Sequence, residues 1–195
     1  MSAPVPVGGT PTPPEASPRE RLVDLLRRRS FEKKRVTLAS GRESDFFIDC
    51  KQAVLGAEGH ALVGEAMLDA LAGTGCAAVA GVELGGCPLA SAVALTSWQR
   101  GAPLDALYVR KDAKEHGSRR EIEGNDRLPS GARVALLEDV VTTGGSTLRA
   151  AAKLQAAGYE VSAVVALVDR LEGGREAIEA AGLPLRALFT RDDFS

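Results

Sequence analysis

The sequence predicts an α/β domain built on a doubly wound parallel sheet. Three apolar runs, at 76–83, 133–137 and 161–168, lack the alternation of a half-exposed strand, as burial on both faces requires. Helix-length stretches separate them, which is the pattern of successive βαβ units. At 195 residues, 45% apolar and 26% charged, the chain fits one soluble domain of ordinary size. No internal repeat or second domain boundary interrupts it.

The first sixteen residues carry five of the ten prolines and are expected to form a disordered tail. They lack the basic head and long apolar core of a secretory signal. The folded domain then covers 17–195. Ser17, Pro18 and Glu20 spell a capping box, and Leu22, Leu25 and Leu26 make one stripe of the helix it opens. The basic run Arg27 to Arg35 reads as the solvated end of that helix, favoured by its dipole. Residues 35–51, RVTLASGRESDFFIDCK, read as two short strands around a turn at Ser40 and Gly41.

A helix over 59–72 follows, then a strand over 76–83 and a glycine-rich turn. Pro88 opens the next helix, which runs to about Arg100. Residues 105–110 form a strand, and 111–131 is a polar stretch without periodicity. Then come a strand over 133–139, a helix over 145–158 closed by Gly158, a strand over 161–170 and a short helix over 174–182. Residues 184–194 end the chain as a strand or extended tail. Ligands of such sheets sit beyond the carboxyl ends of the strands. One rim therefore collects Glu83 to Pro88, Arg110 to Gly124, Glu138 to Thr147, and Asp169 with Arg170.

A formal net charge of −2 argues against general nucleic-acid binding, and no apolar run has the length of a membrane span. Cys50, Cys76 and Cys87 are odd in number and widely spaced, as buried thiols in a reducing, cytoplasmic compartment would be. With only His60 and His116 to join them, no spacing suits a zinc site. Gly73, Gly75 and Ala78 spell a dinucleotide fingerprint by letter, but they precede their strand instead of following it.

The chemistry concentrates in VALLEDVVTTGGST, residues 134–147. Two carboxylates at the mouth of an apolar strand precede a turn of glycines and hydroxyls at a helix N-terminus. Such a turn attracts an anion, and the acids before it suit a group rich in hydroxyls, such as a ribose. The stretch resembles the phosphoribosyl-pyrophosphate (PRPP) signature of type I phosphoribosyltransferases. The resemblance implies that Glu138 and Asp139 hold the ribose hydroxyls, while Val140, Val141, Thr142, Thr143, Gly144, Gly145 and Ser146 bind around the 5′-phosphate. VRKDAKEHG, residues 109–117, is either a solvated loop or a cationic lid that moves over a polyanion. It resembles the R-K-x-x-K-x-H-G loop of orotate phosphoribosyltransferases, which implies that Arg110, Lys111 and Lys114 neutralise the departing pyrophosphate. His116 either donates a hydrogen bond to that group or serves the loop's structure.

Gly85 and Gly86 match the family's pyrophosphate loop, and SGRESDFFIDCK resembles its S-G-x-x-S-x-x-[YF] segment near the base. Phe46 and Phe47 lie there, and at most one of two adjacent strand residues can stack on a pyrimidine. Thr142 is placed near the base as well. Arg170 either binds the carboxylate or carbonyl edge of orotate or forms a rim salt bridge. Ala39 stands where some relatives carry a lysine, a role that is unfilled or passes to another cation such as Lys51.

The resemblance covers 17–194. It implies the type I phosphoribosyltransferase fold with a small N-terminal hood over about 17–55. It also implies orotate and PRPP as substrates, in a step of UMP synthesis. Mg²⁺ would arrive with PRPP, without an assigned protein ligand, and a two-fold dimer would share the loop 110–117 between subunits. Two alternatives remain. One is a phosphoribosyltransferase for another base, which the R-K-x-x-K-x-H-G loop opposes. The other is a PRPP-binding regulator, which would need a nucleic-acid module that no basic helix face here supplies.

Overall fold

The computed structural model describes residues 16–37, 43–111 and 121–194. The proline-rich tail, the turn at Ser40 and Gly41 with Ala39, and Lys114 and His116 lie outside the described residues. The capping box is present: the Glu20 amide donates to Ser17 Oγ (3.3 Å), and the Ser17 amide donates to Glu20 Oε2 (2.7 Å). It opens α1 (Pro18–Arg29), which buries Leu22, Leu25 and Leu26. Only Arg27 to Arg29 of the basic run belong to that helix. Ser30 ends it, and β1 (Phe31–Thr37) starts at once and pairs antiparallel with β2 (Glu43–Ile48). The strand starts before Arg35 because Phe31 enters an aromatic cluster, its ring centroid 5.2 Å from Phe46 and 5.8 Å from Phe194. That contact is long-range, so the local charge pattern could not reveal it.

Two helices follow, α2 (Lys51–Val54) and α3 (Ala57–Ala70). The remaining elements are β3 (Ala78–Val82), α4 (Gly86–Gln99), β4 (Asp105–Val109), β5 (Ile122–Glu123) and β6 (Arg133–Val141). After these come α5 (Gly145–Ala156), β7 (Glu160–Asp169), α6 (Gly174–Ala180), β8 (Leu185–Thr190) and a 3-10 turn over Arg191–Phe194. The main sheet has the order β5-β4-β3-β6-β7-β8 and is parallel except where β5 meets β4. The polar stretch thus contains a strand after all. Two residues are too few for a period to show.

Side chains from each central strand point alternately into two cores. Ala135 and Leu137 of β6 join Leu26, Met67, Leu89 and Val93 on the side of α1, α3 and α4. Val134 and Leu136 join Ala150, Leu154 and Ile178 on the side of α5 and α6. Both faces being apolar explains why the runs do not alternate. From β3 the chain moves outward to β4, then returns to β6 on the other flank of β3. The loops leaving β3 and β6 therefore diverge, and the crevice between them is the topological switch point of the sheet.

Candidate active site at the switch point

β6 carries Glu138 and Asp139 as its last charged pair, and strand alternation sends them to opposite faces. Glu138 follows the direction of Leu136 and meets the first turn of α5, where Ser146 Oγ and Thr147 Oγ1 each donate to its Oε2 at 3.2 Å. It is 4% exposed. Burial pushes its carboxyl up to about 8, and the charge of Asp139 adds to the effect. Both effects favour the neutral form of Glu138. Asp139 follows Leu137 and meets the turn after β3. Any Cβ on Gly85 would collide with its carboxylate, and a Cβ on Gly86 would press on the Leu137 carbonyl. The two glycines let the turn after β3 pack closely against the end of β6. The Glu83–Leu84 peptide bond in this turn is cis.

The turn after Val141 is built for backbone approach. Gly144 caps α5 in the left-handed region, φ 78°, and has no side chain to occupy the first-turn N–H groups. Those donors face the crevice from the helix end that favours negative charge. A Cβ on Gly174 would strike the Thr142 carbonyl and Val141, so the start of α6 packs directly beneath the turn. Sequence reading missed that role of Gly174, since nothing local marks a glycine needed for a contact more than thirty residues away.

The β1–β2 hairpin meets the end of β7. Phe46 is buried among Phe31 and Phe194, whereas Phe47 is half-buried with Lys34 Nζ 4.0 Å from its ring centroid. Of the two, Phe47 is the one with a face outside the core. The buried Arg170 guanidinium donates to the Phe46 carbonyl (2.9 Å) and pairs with Glu172 (3.0 Å). The rim salt bridge is therefore formed, and it also ties the hood to the end of β7. Lys51 pairs with Asp49 at 2.6 Å. That hydrogen bond raises the Lys51 pKa, and the charge of Asp139 contributes. Lys51 is thus a cation within electrostatic reach of the crevice. The Lys111 amide donates to Glu83 Oε2 (2.8 Å), while Arg110 pairs with Glu123 of β5 (3.6 Å).

Among the described residues, no group of three or more His, Cys, Asp or Glu side chains is arranged to hold a metal. Among the described residues, no helix is long and apolar enough to cross a membrane.

No family model matches the chain. It is 71% identical over 180 residues to an orotate phosphoribosyltransferase of Sorangium cellulosum, covering 92% of this chain and 94% of that protein. The chain belongs to the orotate phosphoribosyltransferase family. A Bradyrhizobium orotate phosphoribosyltransferase is 46% identical over 182 residues, covering 92% of this chain and 98% of that one. The crystal structure of the Mycobacterium tuberculosis orotate phosphoribosyltransferase in complex with PRPP superposes with a TM-score of 0.75 at 38% identity. The match covers 91% of this chain and 98% of that one. The type I phosphoribosyltransferase fold expected from the PRPP signature is the fold observed.

The buried acid of this family site has a measurable consequence. The folded state holds a proton on Glu138 that the unfolded chain, with a value near 4.5, has released. Stability is therefore lost as pH rises from that value through about 8. Glu138→Gln removes the penalty, so its melting temperature should exceed the wild type's by an increasing margin between about pH 5 and about pH 8.5. Parallel melting curves across that range would show that Glu138 is ionised throughout.

Proposed function

We propose that the protein transfers the phosphoribosyl group of PRPP to orotate, giving orotidine 5′-phosphate and pyrophosphate in UMP synthesis. The observation that carries this reading is the meeting of an acid pair with an uncapped glycine and hydroxyl turn at the switch point. The bond from ribose C1 to pyrophosphate breaks with its electron pair leaving on the phosphate oxygen. A ring nitrogen of orotate bonds to C1 as its N–H bond breaks, and the proton passes to the departing pyrophosphate or to solvent. Charge accumulates on the sugar as the polyanion departs, so catalysis depends on holding both.

Each residue then has a task. Thr142 to Ser146 receive the 5′-phosphate on backbone N–H groups and hydroxyls, and Val140 and Val141 lead into that turn as the last residues of β6. Asp139 accepts from a ribose hydroxyl and steadies the developing positive charge. Glu138, kept protonated, holds the α5 turn and offers the ribose a neutral partner. Gly85 and Gly86 leave room for pyrophosphate, and Arg110 and Lys111, with Lys114 and His116 beyond them, stabilise its departure. Phe47, Thr142 and Arg170 border the base, and Phe46 fixes the hood above it. Mg²⁺ arriving with PRPP would supply neutralising charge, and Asp139, beside the Gly85 turn, is the carboxylate that would stand nearest to it. Three free cysteines fit a reducing, cytoplasmic compartment.

Assembly as a two-fold dimer is supported by α4. Ser91, Leu95 and Trp98 fall along one side of it, next to Tyr108, whose hydroxyl is hydrogen-bonded to Ser91, and Leu84 is exposed in the turn before the helix. Trp98 is 72% exposed and Leu84 67%. An apolar face of that kind suits a second copy of the chain.

Orotate absorbance should fall when PRPP and Mg²⁺ are added together, and excess EDTA should stop it. Turnover of another base alone would favour the alternative enzyme, and full activity in EDTA would remove the metal from the account. The shared loop has its own test. If Lys114→Ala and Asp139→Ala damage different halves of a site formed between subunits, mixing the inactive variants under exchange should restore about a quarter of all sites. A mixture that exchanges subunits and stays inactive would place the loop within its own subunit.

A further inference from the structure

Lys153 lies outside every motif above, yet its surroundings are unusually well matched. Its Nζ donates to the carbonyls of Arg110 (3.0 Å) and Lys111 (3.0 Å) and pairs with Glu121 Oε1 (3.0 Å). An ammonium has three donors, and here three acceptors meet them. The side chain is 19% exposed, so water screens these bonds only in part. The Arg110 amide also donates to the Glu121 carbonyl (2.9 Å), and β4 pairs with β5 immediately before it. One ammonium thus fixes residues on both sides of 112–120 to a single point.

That point sits on α5. Lys153 stands eight residues after Gly145, about 12 Å along the axis of the helix whose first turn forms the 5′-phosphate cup. The helix is a rigid spacer between the two.

We propose that Lys153 is a positioning residue that sets the distance between the ribose-phosphate turn and the cations Arg110 and Lys111. It acts on the pyrophosphate half of the reaction without touching substrate. The inference rests on the assignment of Arg110 and Lys111 to pyrophosphate under the proposed function.

Orotidine 5′-phosphate has the ribose phosphate and the base but no pyrophosphate, so it separates the two halves. Lys153→Met keeps length and loses the charge. It should raise the KM for pyrophosphate in the reverse reaction, or lower kcat, by about tenfold, the loss expected for a charge-assisted hydrogen bond. Its dissociation constant for orotidine 5′-phosphate alone should stay within about twofold, while Lys153→Arg recovers most of the pyrophosphate effect. An equal loss for orotidine 5′-phosphate would reduce Lys153 to a packing residue of α5, and unchanged kinetics would also overturn the proposal. Exchange of the Arg110 amide does not depend on catalysis and should accelerate in Lys153→Met. If the wild type fails to turn over, the functional reading falls by itself. Unaltered Arg110 exchange would sink the Lys153 proposal in either case.

Discussion

Glu138 and Asp139 leave the same strand in opposite directions, and each dictates what can stand beside it. Glu138 enters the low-dielectric side of α5, where an ionised carboxyl would be costly, so its pKa is raised and it is met by two hydroxyls. Asp139 enters the α4 side, where space exists only because residue 85 has no side chain. The composition of both neighbouring loops follows from these two conditions. Hydroxyls at 146 and 147 satisfy the buried carboxyl, and the absence of side chains at 85 and 86 leaves room for Asp139 and the Leu137 carbonyl. Glycines at 144 and 174 then let the turn after β6 lie directly on the start of α6.

The hood depends on the same end of the strand. Cys50, at the start of α2, lies with Sγ 3.9 Å from the Asp139 carbonyl, and Arg170 reaches the Phe46 carbonyl from the end of β7. The Arg170 and Arg191 guanidinium groups also lie 5.3 and 5.6 Å from the Phe46 ring centroid. A buried aromatic cluster thus anchors β1 and β2, while Phe47 on the alternate side of the strand remains outside it. The hood and the crevice are held by contacts between segments distant in sequence.

That distinction separates what was legible in the chain from what was not. The α1 capping box, the buried runs of β3, β6 and β7, and the switch-point crevice all follow from local periodicity and turn chemistry, and the structure contains them. The acid pair and the glycine and hydroxyl turn at the start of α5 were legible for the same reason, because one continuous stretch carries both. β5 was missed because it is two residues long, and β1 was started late because Phe31 is recruited by Phe46 and Phe194. Gly174 and Lys153 answer to backbone atoms dozens of residues away, and no spacing rule reports such partners. The protonation of Glu138 also required the fold, since burial and not residue type sets it.

A crystal structure with PRPP and Mg²⁺ bound tests the central claim most directly. The account expects the 5′-phosphate on the amides of Thr142 to Thr147, the ribose hydroxyls within hydrogen-bond distance of Asp139 and Glu138, and the pyrophosphate against Gly85 and Gly86. A ribose turned away from both carboxylates, or a 5′-phosphate seated at another helix terminus, would contradict it.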